Sequence, residues 1–370
     1  MRYLYRHAIA AIILVSTAAC SPSSAPGPEP VAMEKTIAFE LLRLEAGARK
    51  LPPEAERRLR SLLRDAYDSL GPDPRPPENA DEFRAFAEKV TISLAGHNQI
   101  QPVDPADWVS SLGEALQPVS SDHPRLARIL DHGQNKERRR HVKPGEPFHF
   151  LDCDIASLLL MSVAQMVGFE LKLVEVPRHN FVRWSDGRGE YANWDWTNWG
   201  SRRNEYYTRN WSMTELQRNR RLWLTSQSAA ESRGYFIGAL TAIVSDPAQR
   251  LQLVREAVKG APNHPIVAET AAWVFATNGK DVTDEERSDA VTYALTALAA
   301  NPDNAGYTLT AACAFAVGGS ADVAAALRER AASLDPSDAS ENFRANLESM
   351  ERGHLCRDRS GQTDPDGEEE

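Results

Sequence analysis

The residues from Cys153 to Val167 (CDIASLLLMSVAQMV) constrain the fold of this chain more than any other segment. Ile155, Leu158 to Met161, Val163, Ala164, Met166 and Val167 make a helix that is apolar on nearly all sides. Such a helix has no face to give to water, so the rest of the chain must enclose it. Asp152 is placed to cap its start, and Gly168 to close its end. Phe169 to Val176 then alternates like a strand, and Phe181 to Trp184 continues strand-like after Pro177. Ser185 to Gly189 reads as a loop, and Glu190 to Trp194 as the returning strand. The order of buried helix, strand and hairpin predicts an α+β core with an antiparallel sheet.

Helices are expected on both sides of this core. From Met33 to about Arg140, apolar residues recur at helical spacing: Ile37, Leu41, Leu42 and Leu44; Leu59, Leu62, Leu63 and Tyr67; Phe83, Phe86, Val90 and Leu94. Breaks at Pro52-Pro53 and Pro72 to Pro77 separate them. The basic run Lys136 to Lys143 reads as a solvated face. After a Trp- and Arg-rich stretch the helical pattern returns with a repeat. Asn301-Pro302-Asp303-Asn304 and Asp335-Pro336-Ser337-Asp338 stand 34 residues apart. Ala-rich helices, Ala305 to Val317 and Ala321 to Ser333, lie between them. Ala261-Pro262-Asn263 marks an earlier unit with an insert around Gly279 to Thr283, and Glu341 to Met350 reads as a capping helix. A helix-turn-helix period of this length resembles tetratricopeptide (TPR) repeats, with a one-off helical bundle as the alternative.

Three residue types needed for thiol catalysis stand in the core: Cys153, His179 and Asp195. Cys153 opens the buried helix, where unpaired N–H groups and the helix dipole favour a thiolate and can bind an oxyanion. If Trp184 pairs with Glu190, the same register sets His179 directly opposite Asp195 on one face. Cys153 is then the nucleophile, His179 the base and Asp195 the group that orients the imidazole. The alternatives are a structural core cysteine and a zinc site, the latter lacking an evident fourth ligand and any C-x-x-C.

The same residues carry a resemblance. Asp152-Cys153-Asp154, then Val176-Pro177-Arg178-His179-Asn180-Phe181-Val182-Arg183, then Asn193-Trp194-Asp195 resemble the core of the transglutaminase-like superfamily. The similarity is strongest to its bacterial branch with C-terminal tetratricopeptide repeats. It implies a papain-like fold, a Cys153–His179–Asp195 triad and action on amide bonds, as peptidase, amidase, deamidase or cross-linker. Two departures stand out. Leu151 replaces a glycine common before the D-C pair, and Pro147 stands where papain-like enzymes carry an oxyanion-hole Gln. Gln134, Asn135 and His149 are the polar candidates for that role. Trp199 and Tyr206 are candidates for the cleft, and Arg178 and Arg183 are expected to be solvated.

The N-terminus reads as an address. Arg2 and Arg6 precede an apolar run, Ala8 to Val15, too short to span a bilayer. Ser16 to Cys20 resembles the lipobox of bacterial lipoproteins, with Thr17 where Leu is commonest. This implies a signal over residues 1–19, a lipid on Cys20 and a tether over 20–32. An ordinary secretory cleavage site is the alternative. Ser21 stands where inner-membrane lipoproteins often carry Asp, which points to the outer membrane, facing the periplasm. With Cys20 lipidated, Cys153, Cys313 and Cys356 remain, an odd number in an oxidising compartment. Cys313 is expected in a repeat-helix core and Cys356 exposed in the polar tail, with a pair between them as an alternative that nothing in the sequence supports.

With 42 Lys and Arg against 52 Asp and Glu, the chain carries a formal −10, which argues against a general nucleic-acid binder. The expected organisation is a transglutaminase-like domain over 33–225, TPR-like repeats over 226–353 and a disordered acidic tail over 354–370. The expected function is a lipid-anchored thiol enzyme acting on a peptide or protein amide, hydrolysis before cross-linking. A protein partner docks on the repeats, and no cofactor or metal is required. The alternative is a non-catalytic scaffold lipoprotein built from the same parts.

Overall fold

The computed structural model describes residues 29–101, 111–120, 126–334 and 341–357. The expected signal, the Cys20 lipid site, most of the tether and residues 358–370 of the tail lie outside them.

The central helix runs from Cys153 to Val167, bounded as the sequence requires. The Asp152 carboxylate accepts the Ile155 backbone N–H at 2.9 Å. Gly168 ends the helix at φ 95°, where a side chain would be strained and would also meet Pro30. Leu158, Leu159, Val163 and Ala164 are almost wholly buried. Helices Ile37–Ala48, Ala55–Asp68 and Ala80–Gly96 pack around this core. The first lacks a capping side chain at Thr36. Its leading N–H groups are satisfied instead by the central helix, Ile37 donating to Gln165 Oε1 and Ala38 to Ser162 Oγ.

Two sheets flank this helix. Strands β1 (Gln99–Ile100) and β2 (His149–Phe150) form a parallel pair, which the strand pattern did not predict. It delivers the chain to the start of the central helix, with Leu151 donating to the Ile100 carbonyl at 2.7 Å. Strands β3 (Lys172–Val176), β4 (His179–Ser185) and β5 (Tyr191–Trp194) form the expected antiparallel sheet. Even positions of β4 face the central helix: Asn180 reaches Ser157, and Val182 and Trp184 join the main core. Phe181, on the other face, packs with Val174, Val176 and Tyr207. The architecture is therefore α+β.

The C-terminal section is a run of helices, Ala229–Thr241, Pro247–Gly260, Pro265–Thr277, Asp284–Ala300, Ala305–Val317, Ala321–Ser333 and Glu341–Glu351. Both repeat helices have the expected bounds, and a short 3-10 turn at Gly279–Asp281 fills the expected insert. Asn304 caps its helix through the Tyr307 N–H at 2.9 Å. The main core does not stop at 225: Phe236, Ile237, Leu240 and Leu253 belong to it. Cys356 is not exposed. It is 3% accessible and joined to Cys313 by a disulfide with Cα atoms 5.7 Å apart. Asn346 holds the next residue through both its amide and the Arg357 backbone. The segment 354–357 is thus folded onto the last helices.

Candidate active site

Cys153 is the first residue of the central helix, partly exposed, and the one free cysteine among the described residues. The Asn180 backbone N–H, next to His179, favours the charged form of the Cys153 sulfur. No hydrogen bond joins Cys153 to His179 among the described residues. The thiolate expected at this helix start is not favoured. Burial pushes the thiol well up, and the neighbouring Asp154 and Asp152 add to it, outweighing the opposing effect of the Asn180 backbone N–H. A helix dipole contributes about 0.3–1 kcal/mol, too little against desolvation.

Those acids form a buried polar group. Asp154 Oδ1 accepts from Asn180 Nδ2 and from Tyr235 Oη, the latter at 2.9 Å. Asn180 Oδ1 accepts from Ser157 Oγ at 2.9 Å. Burial raises the carboxyls of both Asp152 and Asp154 against these hydrogen bonds. Glu175, paired with Asn180 across the sheet, is also buried, with Oε2 at 3.5 Å from His264 Nε2. Burial raises its carboxyl too, and Asp154 adds to the effect.

His179 and Asp195 are joined directly, Nε2 to Oδ2 at 3.0 Å. The same carboxylate accepts from Asn198 Nδ2 at 2.6 Å, from Tyr207 Oη at 3.1 Å and from the Asn198 backbone N–H at 3.2 Å. Burial alone would raise Asp195; the adjacent His179 and the Asn198 hydrogen bonds overcome it and hold the carboxyl below its ordinary value. With Nε2 facing Asp195, Nδ1 is the nitrogen left for a thiol. Trp211 lies flat on the His179 ring, centroids 5.5 Å apart and planes 13° apart.

The register differs from the expected one. Trp184 pairs with Ala192 rather than Glu190, and Ser185 with Tyr191. Because the slip is an even number of residues, faces are preserved. Asp195 lies beyond β5, in a tight return closed by reciprocal hydrogen bonds with Gly200 at 3.0 and 3.1 Å. Its carboxylate therefore reaches His179 from the strand end rather than from directly opposite.

Other candidates are distributed unevenly. Tyr206 belongs to the site's outer ring, its hydroxyl donating to Asn198 Oδ1 at 2.8 Å and its ring edge meeting Trp211. Trp199, at φ 42°, stacks instead on His141 and Trp196 along the core side. The Asn135 amide is closed on the Gln101 backbone at both ends, leaving it a structural role. The Gln134 side chain lies outside the described residues. His149 contacts Arg58, and burial, with Arg58 beside it, pushes its imidazole down to about 4. Arg178 is exposed, as expected. Arg183 is not solvated: it is 8% exposed and donates to Asn193, Ser226 and Asn204.

Tyr207, Trp211 and Asn198 were not singled out from the sequence. Asn198 had a signal, since the third residue after an aspartate commonly donates its N–H to that carboxylate. The two aromatics had none beyond the crowding of tryptophans.

Among the described residues no group of three or more His, Cys, Asp or Glu side chains is arranged to hold a metal ion. No described helix is long and apolar enough to cross a membrane. No family model, curated protein or solved structure matches the chain.

Proposed function

We propose that this chain is a transglutaminase-like thiol enzyme acting on amide bonds through Cys153, His179 and Asp195. The observation that carries this reading is the buried His179–Asp195 pair at 3.0 Å, in a chain whose free thiol, Cys153, opens the central helix. In the proposed reaction His179 Nδ1 takes the thiol proton as sulfur attacks the amide carbon. The amine leaves with that proton, forming a thioester. Water then attacks the thioester, its proton passing through His179 to restore the thiol and release the acid. Asp195 holds the ring and stabilises the imidazolium.

The finer fold assignment belongs to the same proposal: a papain-like core followed by TPR-like repeats that dock a protein partner. So does lipid anchoring through Cys20 at the outer membrane, facing the periplasm, with a peptide or protein amide as substrate.

One observation favours a second reading, a non-catalytic scaffold: burial and the flanking acids hold the Cys153 thiol protonated. The two separate on the rate of Cys153 alkylation by iodoacetamide in wild type and His179→Ala, with folding checked by circular dichroism. An enzyme loses at least about tenfold in rate without its base near neutral pH. A rate unchanged by the variant, with function surviving Cys153→Ala, leaves the scaffold.

A further inference from the structure

The chain is acidic overall, yet the segment that covers His179 is not. From Ser201 to Arg221 it holds six arginines (202, 203, 209, 218, 220 and 221) against Glu205 and Glu215. This segment supplies Tyr206, Tyr207 and Trp211, the aromatics that enclose the His179–Asp195 pair. Three exposed cations, Arg178, Arg202 and Arg209, stand next to residues of the site. The Arg202 guanidinium lies 5.5 Å from the Tyr206 ring centroid. Arg209 stands in the last turn of the helix Asn204–Asn210, which leads directly into Trp211. Arg178 is exposed in the two-residue turn between Val176 and His179.

Their charges are not spent internally. Arg178, Arg202, Arg203, Arg209 and Arg220 are exposed and form no ion pair among the described residues. Nearby Arg221 and Arg188, by contrast, are paired with Glu231 and Asp186. Exposed cations next to residues that enclose the His179–Asp195 pair concentrate anions around it.

We infer that this rim binds an acidic peptide segment flanking the amide that Cys153 would attack, an inference that rests on the proposed function. An anionic lipid surface is less well matched. Membrane-binding faces set apolar side chains among their cations. Within Ser201–Arg221, Leu216 is the only large hydrophobic residue counted as exposed among the described residues, at 43%.

The test is the binding of a fluorescent peptide of about ten alternating Glu and Gly residues, followed by anisotropy, with a Lys/Gly peptide as control. None of the residues changed touches the reacting groups. Wild type binds the acidic peptide and not the basic one. The combined Arg178→Gln, Arg202→Gln, Arg209→Gln variant binds at least about fivefold more weakly, as does wild type in about 0.5 M salt. Bound acidic peptide slows Cys153 alkylation. Equal binding by the variant, or binding that leaves alkylation unchanged, overturns the inference. So does arginine-dependent binding to phosphatidylglycerol vesicles without peptide binding, which would assign the rim to a lipid surface. The comparison with His179→Ala stands apart: an unchanged alkylation rate there strikes the proposed function, while the anisotropy measurement is unaffected.

Discussion

His179 Nε2 lies 3.0 Å from Asp195 Oδ2, although in the β4–β5 register the residue facing Asp195 would be Phe181. The pair is diagonal. It closes because the chain leaves β5 at Trp194 and turns back at Gly200, with Asn198 and Tyr207 holding the carboxylate toward the imidazole.

Oδ2 accepts from three side-chain donors and Oδ1 from the Asn198 backbone N–H, so an amide, with one oxygen, turns its NH2 toward a donor. Asp195→Asn is therefore expected to destabilise the fold by about 2 kcal/mol at neutral pH. The Asp195 carboxyl is held below its ordinary value of 3.8, so its contribution is present above that pH. It is lost as pH falls through the lower folded value. Urea unfolding should show the wild-type advantage shrinking below about pH 4. A gap that does not depend on pH would contradict this.

Glu175 works in the opposite sense. Burial, and Asp154 after it, raise its carboxyl well above 4.5 in the folded state. Above that pH the unfolded chain gives up its proton first, so stability falls as pH rises. The groups around it are Asp154, Tyr235, Gln227 and His264. Glu175→Gln is expected to be more stable than wild type near pH 8, with the difference closing toward pH 4.5. Unfolding curves at the two ends of that range decide the matter.

Arg183 reads as a structural tie. Its guanidinium donates to Asn193 Oδ1 at 2.7 Å, Asn204 Oδ1 at 2.7 Å and Ser226 Oγ at 3.1 Å, joining three separate segments. Lysine has the charge without the fork. Arg183→Lys should cost about 2 kcal/mol by leaving buried acceptors unpaired. Thermal unfolding measures it, and a melting temperature within a degree or so of wild type would speak against the tie.

The Cys313–Cys356 disulfide spans 43 residues. On the chain-entropy account, closing a loop of that length stabilises by about 4 kcal/mol. Cys356→Ser should lower the melting temperature, and reductant should lower that of wild type but not of the variant. Mass spectrometry after alkylation without reductant should find both wild-type cysteines unmodified.

Local signals made much of this legible in advance. Asp152 and Gly168 bracket the central helix, and Asn301 and Asn304 stand between two C-terminal helices, because caps and breakers act over a few residues, while Asp335 to Asp338 lie outside the described residues. Long-range choices were not legible. The hairpin register depends on the Asp186 carboxylate, which accepts the N–H groups of Arg188 and Glu190 and so pairs Ser185 with Tyr191. The partners of Arg183 come from segments up to 43 residues away, and nothing local marks them. Strands of two residues such as β1 and β2 are too short to show a period. The position of Cys153 at a helix start is visible in the sequence, whereas the effect of packed neighbours and of Asp152 and Asp154 on its thiol depends on the fold.

The described chain enters at the far end of the central helix. Pro30 lies against Gly168, and the Val31 N–H donates to the Gln165 carbonyl at 3.1 Å. Cys153 begins the same helix, and its fifteen residues set the two ends about 22 Å apart. The entry of the described chain and the thiol thus stand at opposite ends of one buried helix. A label on Cys153 and one near Val31 would therefore report a separation of about the length of that helix.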